Sequence, residues 1–223
     1  MFKISDSKHT ANGYKIKLIE DLLLRKEAER MSIEGLLLAA GQSSRMRPHH
    51  KLAMDLHGQT LLERSLGCLL PFCQRVIIVT GYLKAPVEAF HTLYPALDFV
   101  HNPNYENSMF SSVQAGLRTA KGERIFILPG DCPFVDQAVF GQMLQLDADV
   151  VIPSYRGQTG HSVLLSRKAV QTLLATPQYR TLKEFIDAQE SIVTEVDCPG
   201  ILRDIDTVED FQLARDFFAN TRR

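Results

Sequence analysis

The sequence predicts an α/β domain built on a mixed, mostly parallel sheet with helices on both faces. Three observations lead there. Short apolar runs recur at 33–40, 75–80, 124–129 and 149–153, the second rich in β-branched residues. Stretches of helical spacing separate them, the layout of βαβ units. The first run passes directly into Gly41-Gln42-Ser43-Ser44 and the third into Gly130-Asp131-Cys132-Pro133. Polar loops at the carboxyl ends of buried parallel strands are where such sheets bind ligands.

Length and composition agree. The chain has 223 residues, 45% hydrophobic and 23% charged, enough for one domain with a sizeable core. A net charge of −1 and no basic tract exclude an electrostatic nucleic-acid binder. No apolar run approaches the ~18 residues of a membrane span, and residues 1–30 lack the layout of a secretion signal. Cys68, Cys73, Cys132 and Cys198 form no C-x-x-C pair. They read as reduced thiols of a cytoplasmic protein, with neither a disulfide framework nor a zinc site.

Residues 1–30 are expected to be an appendage to a single domain spanning 31–223. Met1 to Gly13 are polar and patternless. Tyr14 to Arg30 carry Ile16, Ile19, Leu22 and Leu23 at helical spacing with mixed charge. They read either as a short amphipathic helix packed on the domain or another chain, or as an extension without a role. Ile33 to Ala40 form the first strand. Thr60 and Glu63 make a capping box that opens a helix to about Leu70, which Pro71 ends. Arg75–Thr80 is a buried strand. A helix is expected near Pro86 to Leu93, and a short strand over Leu97 to Val100.

Ser111 and Ser112 stand where the next helix should begin, with Val113, Leu117 and Ala120 along one face. They are either an N-cap or a second anion site at a helix terminus. Arg124–Pro129 is the fourth strand and Gln137 to Leu146 a helix. Asp149–Pro153, a turn at 155–158 and His161–Ser166 form an antiparallel pair. Arg167–Leu174 and Thr181–Ala188 are helical and Ile192–Val196 is a strand. Thr207 and Asp210 cap a last helix whose expected apolar face is Val208, Phe211, Leu213, Ala214 and Phe217.

The chemistry concentrates in the loops. A strand that empties into Gly41-Gln42-Ser43-Ser44 leaves backbone N–H groups unpaired and close together, a nest that suits phosphate. Arg45 and Lys51 add full positive charge, which about four negative charges on a triphosphate require beyond peptide dipoles. The spacing is not that of the ATPase phosphate loop, and the dinucleotide fingerprint is absent. Asp131 is either a turn residue bonding its own backbone or a hard oxygen ligand for Mg²⁺ over a nucleotide. In Asp204-Ile205-Asp206 the alternation of an extended segment points both carboxylates to one face. Cys132 has no neighbouring base in sequence and reads as packing.

Gly41, Ser43, Arg45, Met46 and Lys51 resemble the signature L-A-A-G-x-S-x-R-M-G-x-x-K of the nucleotidyltransferases with a Rossmann-like, glycosyltransferase-A-like fold. Among these the chain looks most like the molybdopterin nucleotidyltransferases. Arg47 stands where that family has Gly. Met109, Ser111, Ser112, Ala115, Gly116 and Leu117 resemble G-M-x-S-S-x-x-A-G-L of its cytidylyl branch, with Ser108 for the Gly. Asp131 matches the metal-binding Asp of a [GAC]-D-x-P loop. Gly160-His161-Ser162 is similar to G-H-P with Ser for Pro, and residues 204–210 to D-I-D-T-P-E-D with Val208 for Pro.

The resemblance spans about residues 33–218. It implies a Rossmann-like fold of the nucleotide-diphospho-sugar transferase type. It implies transfer of CMP from CTP, with Mg²⁺, to the phosphate of molybdenum-bound molybdopterin, releasing pyrophosphate. Leu38, Ala39, Ala40, Gly41, Ser43, Ser44, Arg45 and Lys51 would bind the nucleotide. Arg45, Lys51 and Asp131 would be catalytic. Asp131 and Asp206, the latter in preference to Asp204, would hold the metal, and Ser111, Ser112 and His161 would face the acceptor. Ala40, where the guanylyl branch tends to a second Gly, favours CTP. A sugar phosphate or other small phosphate is the alternative acceptor, and a non-catalytic nucleotide-binding module the alternative role. A molybdoenzyme or accessory protein is the implied macromolecular contact.

Overall fold

A computed structural model describes residues 32–41, 46, 50–82, 94 and 97–220. The expected helices at 14–30 and 86–93 lie outside the described residues, as do Ser43, Ser44 and Arg45.

One eight-stranded sheet organises the molecule. Its strands are β1 (Ile33–Ala39), β2 (Arg75–Thr80), β3 (Asp98–His101), β4 (Arg124–Pro129), β5 (Val150–Tyr155), β6 (Gln158–Thr159), β7 (Val163–Ser166) and β8 (Ile192–Glu195). The order is β3-β2-β1-β4-β7-β5-β6, with β8 also paired to β5. β1 runs parallel to β2 and β4, β2 to β3, and β5 to β8. β7 is antiparallel to both β4 and β5, the expected reversal. The β5–β6 hairpin turns through Arg156 and Gly157, whose φ angles of 50° and 77° suit a tight two-residue turn.

The central strands are buried on both faces, which explains their unbroken apolar runs. Alternation along β1 sends Ile33, Leu37 and Ala39 into one layer and Leu36 and Leu38 into the other. The first layer is covered by α1 (Leu61–Leu69), α3 (Gln137–Leu144) and α6 (Val208–Asn220). The second is covered by α2 (Met109–Leu117), α4 (Arg167–Ala175) and α5 (Leu182–Asp187). The Thr60–Glu63 capping box is formed in both directions, and Thr207 and Asp210 cap α6 reciprocally.

Two expectations are corrected. The cap of α2 is Ser108, whose hydroxyl accepts from the Ser111 N–H at 3.2 Å; Ser111 and Ser112 lie inside the first turn. On α6 only Phe211 and Ala214 of the expected face are buried, whereas Val208, Leu213 and Phe217 are 53%, 70% and 48% exposed. The helix is rotated so that Phe218 stacks on Phe134 and lies under the Arg64 guanidinium. Phe211, Ala214 and Phe218, at steps of three and four, form the seam that meets the core.

Candidate active site

Strand order, not strand direction, turns back beside β1: β2 and β3 lie on one side of it and β4 on the other. The crevice at the carboxyl ends of β1 and β4 is therefore the switch point at which open α/β sheets take ligands. The loops that sequence reasoning singled out, after Ala40 and after Pro129, both open there.

Gly130 sets the spacing. Its N–H donates to the Leu38 carbonyl at 2.9 Å, and a Cβ on it would lie 2.9 Å from that same oxygen. Only glycine lets the two strand ends stay this close. Asp131 follows at the mouth. The Ile205 N–H donates to the Asp131 carbonyl at 3.0 Å, and the Ile205 side chain is fully buried. That anchor turns the residues on either side of it, Asp204 and Asp206, toward the same cavity, which Asp131 and His161 also line.

Lys51 reaches into this group from a single 3₁₀ turn, Lys51–Ala53. Its Nζ donates to Asp131 Oδ2 at 2.6 Å, Asp206 Oδ1 at 2.7 Å and the Ile205 carbonyl at 3.0 Å. An ammonium has three protons, and these three acceptors satisfy them. Burial alone would lower the Lys51 pKa. The Asp131 charge and the hydrogen bonds to both acids outweigh it and hold the lysine above its ordinary value.

The cavity has a volume of about 410 Å³. Leu38, Ala40 and Gly41 form its wall on the β1 side, and Tyr105, Met109 and Ser112 face it from the α2 side. Ala39, expected in the same group, instead packs into the opposite layer. The two serines also part company: Ser112 lines the cavity and Ser111 does not. Both accept from the Asn102 side-chain amide, at 3.0 and 2.8 Å, and the single Ser111 hydroxyl proton has the Asn104 and Ser108 carbonyls as alternative acceptors. His161 sits beyond the acids, its N–H bonded to the Ile201 carbonyl. Burial lowers its pKa against the opposing pull of Asp131 and Asp204, so a neutral ring faces the cavity.

Asn102 and Tyr105 are contributors beyond the expected set, whereas Asp204 faces the cavity with Asp206 as their alternation predicts. The first two sit in an irregular loop whose sequence carries no periodic signal. Cys132 is buried, and burial pushes its thiol well above the ordinary range, which suits packing and not nucleophilic attack.

The donor set fits a divalent cation of the hard kind. Asp131 and Asp206 present carboxylate oxygens to one nitrogen at 2.6 and 2.7 Å, so those oxygens lie within about 5.3 Å of each other. Among the described residues no group of three or more His, Cys, Asp or Glu forms an all-protein metal cage. Two acids without a cage suit Mg²⁺, which keeps waters and takes its remaining ligands from substrate phosphates.

A sheet covered by helices on both faces, whose switch point gathers acids and a lysine, has the form of an α/β ligand site. The chain belongs to the MobA-like NTP transferase domain family, whose model matches residues 35–193, and is a nucleotidyltransferase of that family. It is 28% identical over 186 residues to the molybdenum cofactor cytidylyltransferase of Escherichia coli (strain K12), covering 83% of this chain and 96% of that protein. It is 24% identical over 166 residues to the molybdenum cofactor guanylyltransferase of Shewanella loihica, covering 71% and 76%. Its fold is similar to that of a nucleotidyl transferase from Methanothermobacter thermautotroptrophicus, with a TM-score of 0.75 at 24% identity over 85% of this chain and 99% of that one.

Proposed function

We propose that this protein transfers CMP from CTP to the phosphate of molybdenum-bound molybdopterin, releasing pyrophosphate. The observation that carries the reading is the pair Asp131 and Asp206, drawn together around Lys51 at the carboxyl ends of β1 and β4. The similarity to a cytidylyltransferase over 96% of its length supports the choice of nucleotide and acceptor.

An oxygen of the acceptor phosphate attacks the α-phosphorus in line. The bond from that phosphorus to the bridging oxygen breaks, and pyrophosphate departs with the electron pair. No protein nucleophile takes part, so the rate comes from positioning and charge. Mg²⁺ held by Asp131 and Asp206 would withdraw charge from the phosphate oxygens. Arg45 and Lys51 neutralise the leaving pyrophosphate. Leu38, Ala40 and Gly41 seat the nucleotide, and Ser43 and Ser44 serve its phosphates. Ser112 and neutral His161 offer hydrogen bonds on the acceptor side, with Ser111 placing the helix start. Residues 31–223 act as one domain with 1–30 appended, in the cytoplasm, where the product passes to a molybdoenzyme or an accessory protein.

The test is pyrophosphate release with Mg²⁺, each of CTP, GTP, UTP and ATP, and either molybdenum-loaded molybdopterin or a sugar 1-phosphate. Release that needs CTP and molybdopterin together is the expected result. Release with GTP alone overturns the base assignment, and release with the sugar phosphate overturns the acceptor. A thermal shift with nucleotide but no release under any combination would leave a binding module. Ligand at 100 times its dissociation constant stabilises by ~2.7 kcal/mol, or roughly 5–10 °C for a domain of this size.

A further inference from the structure

We propose that Lys51 is an internal competitor for the metal: its ammonium holds the two acids until the divalent cation displaces it into the phosphate-binding cavity. The inference rests on the reading of Asp131 and Asp206 as metal ligands. It adds that the lysine and the metal exclude each other.

The distances point to this. Two oxygens bound to one Mg²⁺ lie at most about 4.2 Å apart, because each bond is ~2.1 Å. The Lys51 nitrogen reaches Asp131 Oδ2 at 2.6 Å and Asp206 Oδ1 at 2.7 Å and lies between them. A cation bridging those same two oxygens would sit against that nitrogen and bring two like charges into contact. Lys51 is only 9% exposed. Its departure also breaks the bond to the Ile205 carbonyl.

The freed side chain has the cavity beside it. The backbone at Lys51 is held by the buried Leu52 next to it and by the hydrogen bond from Met54 N–H to the Lys51 carbonyl. The ammonium therefore swings about a fixed stem, and both Lys51 and Gly41 line the same cavity. One event replaces a single charge on the acids by a double one and moves the single charge toward the triphosphate. The coupling gives the enzyme an order: metal and nucleotide together assemble the site, and metal alone meets a site already occupied. Apparent metal affinity is then reduced by the fraction of molecules in which the lysine has left.

The probe is Mn²⁺ without nucleotide, titrated into the full-length protein and followed by calorimetry and by the paramagnetic resonance signal of free Mn²⁺. Lys51→Met should bind Mn²⁺ at least about tenfold more tightly than wild type, since it removes a cation from contact with both ligands. It should do so while losing transferase activity, a split that a merely structural lysine would not give. Equal or weaker binding by a folded Lys51→Met overturns the proposal and leaves the metal site standing. Failure of both proteins to bind Mn²⁺, with or without CTP, removes the metal site and the proposal together. A measurement on wild type guards against misfolding of the variant. Acylation of lysines, read by mass spectrometry, should modify Lys51 several-fold faster at saturating Mn²⁺ than without metal. An unchanged Lys51 rate at saturation overturns the displacement.

Discussion

Replacing Asp131 by Asn removes one charge from the site and leaves its shape. Asp131 Oδ2 lies 2.6 Å from the Lys51 nitrogen, and the two side chains are 20% and 11% exposed. At an effective dielectric of about 20 the attraction at this distance is ~6 kcal/mol before the cost of desolvating both ions. A buried pair broken outright costs about 3–5 kcal/mol, because an uncompensated charge remains. Lys51 keeps Asp206 at 2.7 Å and the Ile205 carbonyl at 3.0 Å, and the new amide can still turn its oxygen to the ammonium. The loss is therefore smaller, about 1–3 kcal/mol. In a domain of this length that lowers the melting temperature by roughly 3–10 °C. Transfer should fall by at least ~10² because the carboxylate that would hold the metal against the reacting phosphates is lost. Thermal denaturation without ligand gives the first quantity, and pyrophosphate release at saturating CTP and Mg²⁺ the second. A variant that melts within a degree of wild type and turns over within about threefold would refute the charge assignment at this position.

Other consequences can be checked separately. Gly116→Ala places a methyl 2.1 Å from Leu36 Cδ1 and 2.8 Å from Val79 Cγ2. Overpacking α2 against the sheet should cost about 1–3 kcal/mol in urea denaturation, despite a gain of ~1 kcal/mol in helix propensity. Thr60→Ala removes one half of the α1 capping box and should cost ~1 kcal/mol by the same measurement. Burial lowers the pKa of His50 and of His161, so each is neutral in the native protein and titrates near 6.5 when unfolded. Their contribution is complete above that value and is lost as pH falls from about 6.5 through the lower native values. Neither His50 ring nitrogen has a hydrogen bond of ordinary geometry, so His50→Gln should flatten the decline in urea midpoint between about pH 7 and 5. The Cys68 and Cys73 thiols, each pushed up by burial to about 12, should resist iodoacetamide at pH 8 until the protein unfolds.

The strands and their direction were legible because burial on both faces demands long apolar runs, and Ile33–Ala39, Arg75–Thr80 and Arg124–Pro129 supply them. The first helical turns of α1 and α6 were legible because a capping box is a local bargain among residues three apart. The α6 face was misread where local pattern was ambiguous. The helix offers seven apolar residues facing more than one way, and only the stacking on Phe134 together with the Arg64 guanidinium selects Phe218 over Leu213. The cap of α2 was misplaced because three serines close together compete for one role, and the Asn102 amide, contributed from outside the helix, occupies two of them.

What the amino-acid order determined alone is the repertoire: a parallel sheet, a glycine-rich exit after the first strand, an acid after the fourth, and alternating acids near the end. Each is written in neighbours a few residues apart, through periodicity, caps and turns. What only the tertiary structure decided is that Lys51, Asp131 and Asp206, separated by 80 and 155 positions from the lysine, share one set of hydrogen bonds. Such a meeting depends on where the strand order turns back and on a backbone bond from Ile205 to Asp131. Electrostatic attraction falls off in space and is blind to distance along the chain, so no local pattern could encode it.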